Sequence, residues 1–295
     1  MIVCPNAKIN IGLDVVRRRP DGYHDIESLF VPVYSLRDVL EVVKAPEAQM
    51  HVYGTPCDVP AEKNLCFKAL RAMQERYGIG NAAIHLYKQI PMGAGLGGGS
   101  SDAAFTLLAL NEVFSLGLSK EQLAAVAAEI GSDCPFFVYN APRLASGRGE
   151  VLEPFPLNLK GYHIKVVTPG IHISTAEAYA GVDAIKFPEA VLHGDDSPAL
   201  NNSGGALRKP SICGCTRRRS GPGAVEGGAQ RRPLAERLAA GIETWRETVF
   251  NDFELYAFEK HPELAAAKQA LFDQGAVYVS MTGSGSALFG IFQNP

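Results

Sequence analysis

The run from Pro91 to Ala104, PMGAGLGGGSSDAA, places five glycines within seven residues and follows them with two serines and an aspartate. A candidate strand, AAIHLYKQI, leads into it, and Ser101 to Phe114 is nearly continuous apolar sequence that reads as a helix buried on most sides. Any fold for this chain must therefore hold a glycine turn between a strand and a buried helix. Glycines let backbone N–H groups converge on an anion, and the helix start adds unpaired N–H groups and a positive dipole end. The loop taken alone reads as a phosphate cradle or as a hinge, and the helix that begins at once weighs against a flexible joint.

Two familiar nucleotide patterns fail. Gly93-x-Gly95-x-x-Gly98 matches the dinucleotide fingerprint in form, yet Glu112, at about the required ~20-residue offset, falls within or just past the helix rather than ending a second strand. The following segment is itself a helix, with Ser119 and Gln122 forming a capping box and Gly131 ending it. No lysine followed by serine or threonine closes the loop as a Walker A would, and the protein-kinase signatures are missing.

Upstream, Ile9, Ile11, Leu13 and Val15 alternate with Lys8, Asn10, Gly12 and Asp14, the period-two signature of a half-buried strand. Asp21-Gly22 marks a turn, and DIESLFVPVY, DVLEVVKA and HVYG read as further strands. Asn64 is an N-cap for a helix through Tyr77, which Gly78 stops. A second unit begins near residues 155–160, with the strand YHIKVVT and a helix capped by Ser174 and Glu177. It ends in a helix from Pro262 to Gly275 and two strands joined by a second glycine loop, Thr282–Ser286. Strands and helices mix without strict alternation, so the fold class is α+β, divided into residues 1–155 and 156–295.

Residues 194–233 look foreign to this pattern. They are rich in glycine, proline and arginine without apolar periodicity, and read as a disordered or anomalous insertion. Arg217-Arg218-Arg219 is either a polyanion contact or, as such runs more often are, solvated. The net charge of −3 gives no case for a general nucleic-acid or membrane binder, and no apolar run approaches a membrane span. Six scattered cysteines in a chain of 295 residues without a leader peptide suggest reduced thiols in a cytoplasm, and Cys213-Gly-Cys215 has too few ligands for zinc.

PMGAGLGGGSSDAA resembles the phosphate loop of the GHMP kinase superfamily. Together with PNAKINIGLDVVRRRPDGYHDIES, GSDCPFF and TGSGSALF, in that order, it resembles the diphosphocytidyl-methylerythritol kinase family over nearly the whole chain outside roughly 194–240. The resemblance implies an N-terminal domain like ribosomal protein S5 and a C-terminal ferredoxin-like domain. It implies a small-molecule substrate carrying a cytidine diphosphate group, whose 2-hydroxyl is phosphorylated by ATP in non-mevalonate isoprenoid synthesis, with no nucleic-acid or membrane partner and a monomer or weak homodimer. A Mg²⁺ ion is expected, since the charge of a phosphoryl donor must be neutralised, but its ligands are not declared by the sequence.

Residue by residue, the resemblance makes Asp133 the catalytic aspartate, although Asp133-x-Pro135 alone reads as a helix N-cap. It sets Lys8 beside Asp133, where by pattern alone Lys8 is an ordinary lysine on the wet face of a strand that it shares with Asn10. The ATP phosphates are assigned to Pro91, Met92, Gly93, Ala94, Gly95, Leu96, Gly97, Gly98, Gly99, Ser100 and Ser101, with Asn64 and Lys88 near the nucleotide. Asn10, Tyr23, His24 and Tyr179 are assigned to the substrate, with Tyr23 and Tyr179 expected on opposite sides of its cytosine. Without the resemblance, Tyr23 and His24 read as turn residues.

Overall fold

A computed structural model describes residues 1–55, 59–188 and 231–294. Strand β2 (Asn6–Arg18) turns at Asp21-Gly22 and pairs antiparallel with β3 (His24–Arg37), which continues through β7 (Arg143–Ser146) to β8 (Val151–Pro154). The turn is the one anticipated, with the Tyr23 N–H donating to the Asp21 carboxylate and Gly22 at φ 83°.

The half-burial expected of the first strand is not observed. Asn6 to Val15 is buried on both faces, Lys8 being 4% and Asn10 1% exposed. The apolar side enters two cores, and the outer edge of β2 is covered by distant chain segments. The Lys8 N–H donates to the Leu96 carbonyl at 2.9 Å, Leu13 N–H to Phe250 at 2.9 Å and Val15 N–H to the Asp252 carboxylate at 2.8 Å. An edge strand whose backbone groups are satisfied in this way has no open edge.

A second sheet runs in the order β1 (Ile2–Val3), β4 (Val39–Lys44), β6 (Ala82–Lys88), β5 (Gln49–Gly54), with β5 parallel to β6. Helices α1 (Leu65–Tyr77), α2 (Gly98–Val113), α3 (Lys120–Ile130) and α4 (Cys134–Tyr139) share a core with it around Leu70, Met73, Ile84, Leu107 and Phe136. The three helix starts read from caps are present, Asn64 accepting from the Cys66 N–H at 2.9 Å, Ser119 closing a full capping box with Gln122 and Ser174 accepting from the Glu177 N–H at 3.2 Å. Helix α2 starts at Gly98, earlier than the expected Ser101, because Gly97 at φ 70° turns the chain directly into it.

The third sheet is antiparallel, in the order β10 (Tyr278–Met281), β11 (Leu288–Gln293), β9 (Tyr162–Val167). Helices α5 (Thr175–Lys186), α6 (Leu234–Ala239), α7 (Ile242–Thr248), α8 (Phe253–Lys260) and α9 (Pro262–Asp273) complete the α+β fold. Arg217-Arg218-Arg219 and Cys213-Gly-Cys215 lie outside the described residues. Residues 231–233 correct the expected insertion boundary. Arg231 pairs with Asp14 at 3.1 Å and with Asp252 at 2.8 Å, and Pro233 caps α6, so this stretch belongs to the fold.

Candidate active site

The glycine loop between β6 and α2 is anchored rather than loose. Gly93, Gly95 and Gly97 have φ of 67°, 78° and 70°, while the residues between them, Ala94 and Leu96, are buried in a core with Ile9 and Phe289. The carbonyls of its middle residues are engaged. Those of Ala94 and Leu96 accept from Ala287 and Lys8 N–H groups, and that of Gly95 accepts from the Thr282 hydroxyl at 3.2 Å. Among the described residues, no acceptor takes the N–H groups of Gly93, Ala94, Gly95, Leu96 or Gly97. A run of free, fixed N–H groups ending at a helix N-terminus is an anion site in waiting.

The two glycine loops touch at Gly95, where a Cβ would overlap the Thr282 carbonyl. Gly97 has a second reason to lack a side chain, because a Cβ there would lie 3.0 Å from Lys8 Cγ and 2.9 Å from Phe137. The glycine loop, the Lys8 strand and the Thr282–Ser286 loop thus form one wall.

Opposite lies Asp133, at the start of α4. It occupies the N-cap position with φ −85° and ψ −13°, yet its side chain makes no capping bond. Its Oδ2 is instead 3.7 Å from Lys8 Nζ, and its side chain is one-third exposed. Burial pushes the Lys8 ammonium below its ordinary value, and the Asp133 charge opposes that. Lys8 Nζ also donates to Asn10 Oδ1 at 2.5 Å and sits 4.9 Å from the Phe30 ring centre. The Asn10 amide in turn donates to Ser28 Oγ at 2.9 Å, so Asn10 aims the lysine.

The cleft that these residues line has a volume of about 1050 Å³, room for a nucleotide with a second ligand. Tyr23 and His24 lie on its other side, at the β2–β3 turn, with Tyr179 from α5. The Tyr23 ring is exposed and has the Arg148 guanidinium over it at 4.9 Å. Tyr179 stacks on His24, centroids 4.5 Å apart and planes within 19°, and meets the Phe253 ring edge-on at 4.8 Å. Its partner face is His24 rather than an open slot facing Tyr23.

The sequence model for the GHMP kinases N terminal domain matches residues 64–141, and that for the GHMP kinases C terminal region matches 234–295. A 4-diphosphocytidyl-2-C-methyl-D-erythritol kinase of Parabacteroides distasonis is 41% identical over 295 residues, covering 100% of this chain and 93% of its own. This chain belongs to that kinase family. A crystal structure of a 4-(cytidine 5'-diphospho)-2C-methyl-D-erythritol kinase superposes with a TM-score of 0.73 at 32% identity, covering 100% of this chain and 91% of the other. A homoserine kinase from Cytophaga hutchinsonii superposes at 0.64 with 17% identity over 98% of this chain and 85% of its own, a likeness of fold alone.

In this member of the 4-diphosphocytidyl-2-C-methyl-D-erythritol kinase family, two residues assigned near the nucleotide have structural partners. Lys88 is 3% exposed and lies beside the start of α2, where a Cβ at Gly98 would be 3.2 Å from its Nζ. Its Nζ lies 2.5 Å from Asp38 and 2.7 Å from Asp102, and a buried ammonium left without those carboxylates would be costly. Asn64 is occupied as the α1 cap and also lies off the cleft. Ala94, Leu96 and Gly98 are buried, so any contact with phosphates there comes through the backbone, while Ser101 is buried with its Oγ unpartnered. Arg148, His172 and Asp183 line the cleft without having been read from the sequence. Asp183 had a usable signal, since it lies one helical turn after Tyr179.

Proposed function

We propose that this chain transfers the γ-phosphoryl group of ATP to the 2-hydroxyl of 4-diphosphocytidyl-2-C-methyl-D-erythritol, a step of non-mevalonate isoprenoid synthesis. The observation that carries the mechanism is Asp133, a carboxylate at a helix start that caps nothing and instead faces Lys8 across from the free N–H groups of the glycine loop. Asp133 accepts the hydroxyl proton as the substrate oxygen bonds to the γ-phosphorus and the bond to the ADP oxygen breaks. Lys8 offsets charge on the transferring group. The loop N–H groups hold the phosphates, and Tyr23, His24 and Tyr179 hold the base, with Asn10 acting through Lys8.

A Mg²⁺ ion fits the donors present. Among the described residues no group of three or more His, Cys, Asp or Glu side chains is placed to hold a metal, which agrees with an ion carried largely by nucleotide phosphates. Asp102 is engaged by Lys88, whereas Ser101 Oγ at the first turn of α2 is buried without a partner. Ser101 and Asp133 are the residues that would hold the ion, which neutralises phosphate charge when bound.

The enzyme is placed in the cytoplasm, where the free thiols at Cys4, Cys66 and Cys134 would stay reduced, and is taken to act as a monomer or weak homodimer. The anchored division is a phosphate-loop and catalytic unit at 1–155 with a second unit at 156–295. The test is ADP release by the purified chain with ATP and, in turn, the cytidine conjugate, homoserine and mevalonate. ADP release that depends on the conjugate is expected. Dependence on homoserine or mevalonate instead would overturn the proposal.

A further inference from the structure

Among the described residues, the run of free N–H groups from Gly93 to Gly97 has a donor side chain packed at each end. At Gly97 it is Lys8, whose Cγ would lie 3.0 Å from a Cβ there. At Gly93 it is His172, and a Cβ there would lie 3.1 Å from the ring Cε1 and 3.2 Å from Nδ1. His172 belongs to the stretch between β9 and α5, so a residue from beyond the first unit reaches the glycine loop at this point.

The neighbours of His172 are held by the fold, and its ring is not. The Ser286 hydroxyl donates to the Ile171 carbonyl, and Ile173 is 2% exposed in a core with Met281 and Leu288. Ser174 caps α5. His172 itself is exposed and lines the cleft. Among the described residues the histidine rings that hydrogen-bond are those of His24, His51, His85 and His163, so both ring nitrogens of His172 are unclaimed. A polar ring placed by its anchored flanks beside free N–H groups is preorganised to bind, with little ordering left to cost. An imidazole carries at least one ring N–H whether neutral or charged, so it can donate in either state.

We propose that His172 is a further phosphate-binding residue of the cleft, donating a ring N–H to a phosphate oxygen at the Gly93 end of the glycine loop. This rests on the function proposed above, which supplies two phosphate-bearing ligands, ATP and the cytidine conjugate. Both offer the same chemistry, an anionic oxygen that accepts hydrogen bonds, and the test separates them.

The test is calorimetric titration of the unsubstituted chain, His172→Ala and His172→Gln with ATP and, separately, with the conjugate. His172→Ala should raise Kd about tenfold or more for one ligand, the one whose phosphate lies at Gly93, and leave the other within about twofold. His172→Gln keeps a side-chain N–H and should recover most of the loss. Because the ring is exposed and has no hydrogen-bond partner in the fold, the melting temperature should hold in both variants. Kd unchanged for both ligands, equal losses for both, or a loss in His172→Gln as large as in His172→Ala would overturn the inference. An unsubstituted chain that shows the expected pattern with ATP yet never phosphorylates the conjugate would overturn the proposed function and leave the His172 contact standing.

Discussion

Replacing Asp133 by Asn removes one charge while nearly preserving shape. Because Asp133 makes no capping bond, the roughly 1 kcal/mol attached to an N-cap is not at stake. What changes is the field at Lys8 Nζ, 3.7 Å away. At that distance Coulomb's law gives about 1 kcal/mol in bulk water and about 4 kcal/mol at an effective dielectric of about 20. With Asp133 one-third exposed the value belongs near the lower end, and the melting temperature should fall by about 2–4 °C at most. Turnover should fall much further, by about 10² to 10⁴, the usual contribution of a positioned base. KM for ATP should hold, because the loop N–H groups are untouched. The assay is coupled ADP release alongside a thermal melt. Near-normal turnover, or an activity loss no larger than the stability loss implies, would refute the assignment and make Asp133 a structural residue.

Three further outcomes follow from the packing. Gly95→Ala should destabilise the fold and weaken ATP binding together, because its Cβ would overlap the Thr282 carbonyl at a φ of 78°; a variant with unchanged melting temperature would contradict the tight meeting of the two loops. Tyr23→Ala should raise KM for the cytidine conjugate and leave KM for ATP alone, so an effect confined to ATP in steady-state kinetics would contradict the base-binding role. Asp102 is pushed up to about 8, by burial first, with Lys88 opposing it. The folded state therefore holds a proton that the unfolded chain releases above its ordinary value of 3.8, and stability from this group falls as pH rises from there to about 8. In melts across that range Asp102→Asn should lose stability less steeply than the unsubstituted protein, and an equally steep loss would refute the proton linkage.

What the sequence disclosed was local. The capping box at Ser119 and Gln122, the turn at Asp21-Gly22 and the glycine loop ahead of a buried helix each depend on neighbours a few residues apart, and each is present. What it concealed depends on partners far along the chain. Lys8 looked like a wet-face lysine because the Leu96 carbonyl and Phe250 segment that cover its strand are invisible to a period-two pattern. Lys88 was placed near the nucleotide by resemblance, and no local pattern shows that Asp38, between β3 and β4, and Asp102, on α2, both meet its ammonium. Helices α6, α7 and α8 are short and follow the atypical segment, so no long apolar period announced them. At the site, Asp133-x-Pro135 read alone as an N-cap, and the absence of a capping bond from its side chain depends on Lys8, far along the chain.

The most direct test of the proposed chemistry is ³¹P NMR of the product formed when the purified full-length chain, ATP and the cytidine conjugate react. The cleft geometry and the family both lead to one new phosphomonoester resonance on the methylerythritol portion, formed in step with ADP and with the conjugate's diphosphate signals retained. ADP formed without that resonance, or the resonance appearing on homoserine or mevalonate in its place, would contradict the account.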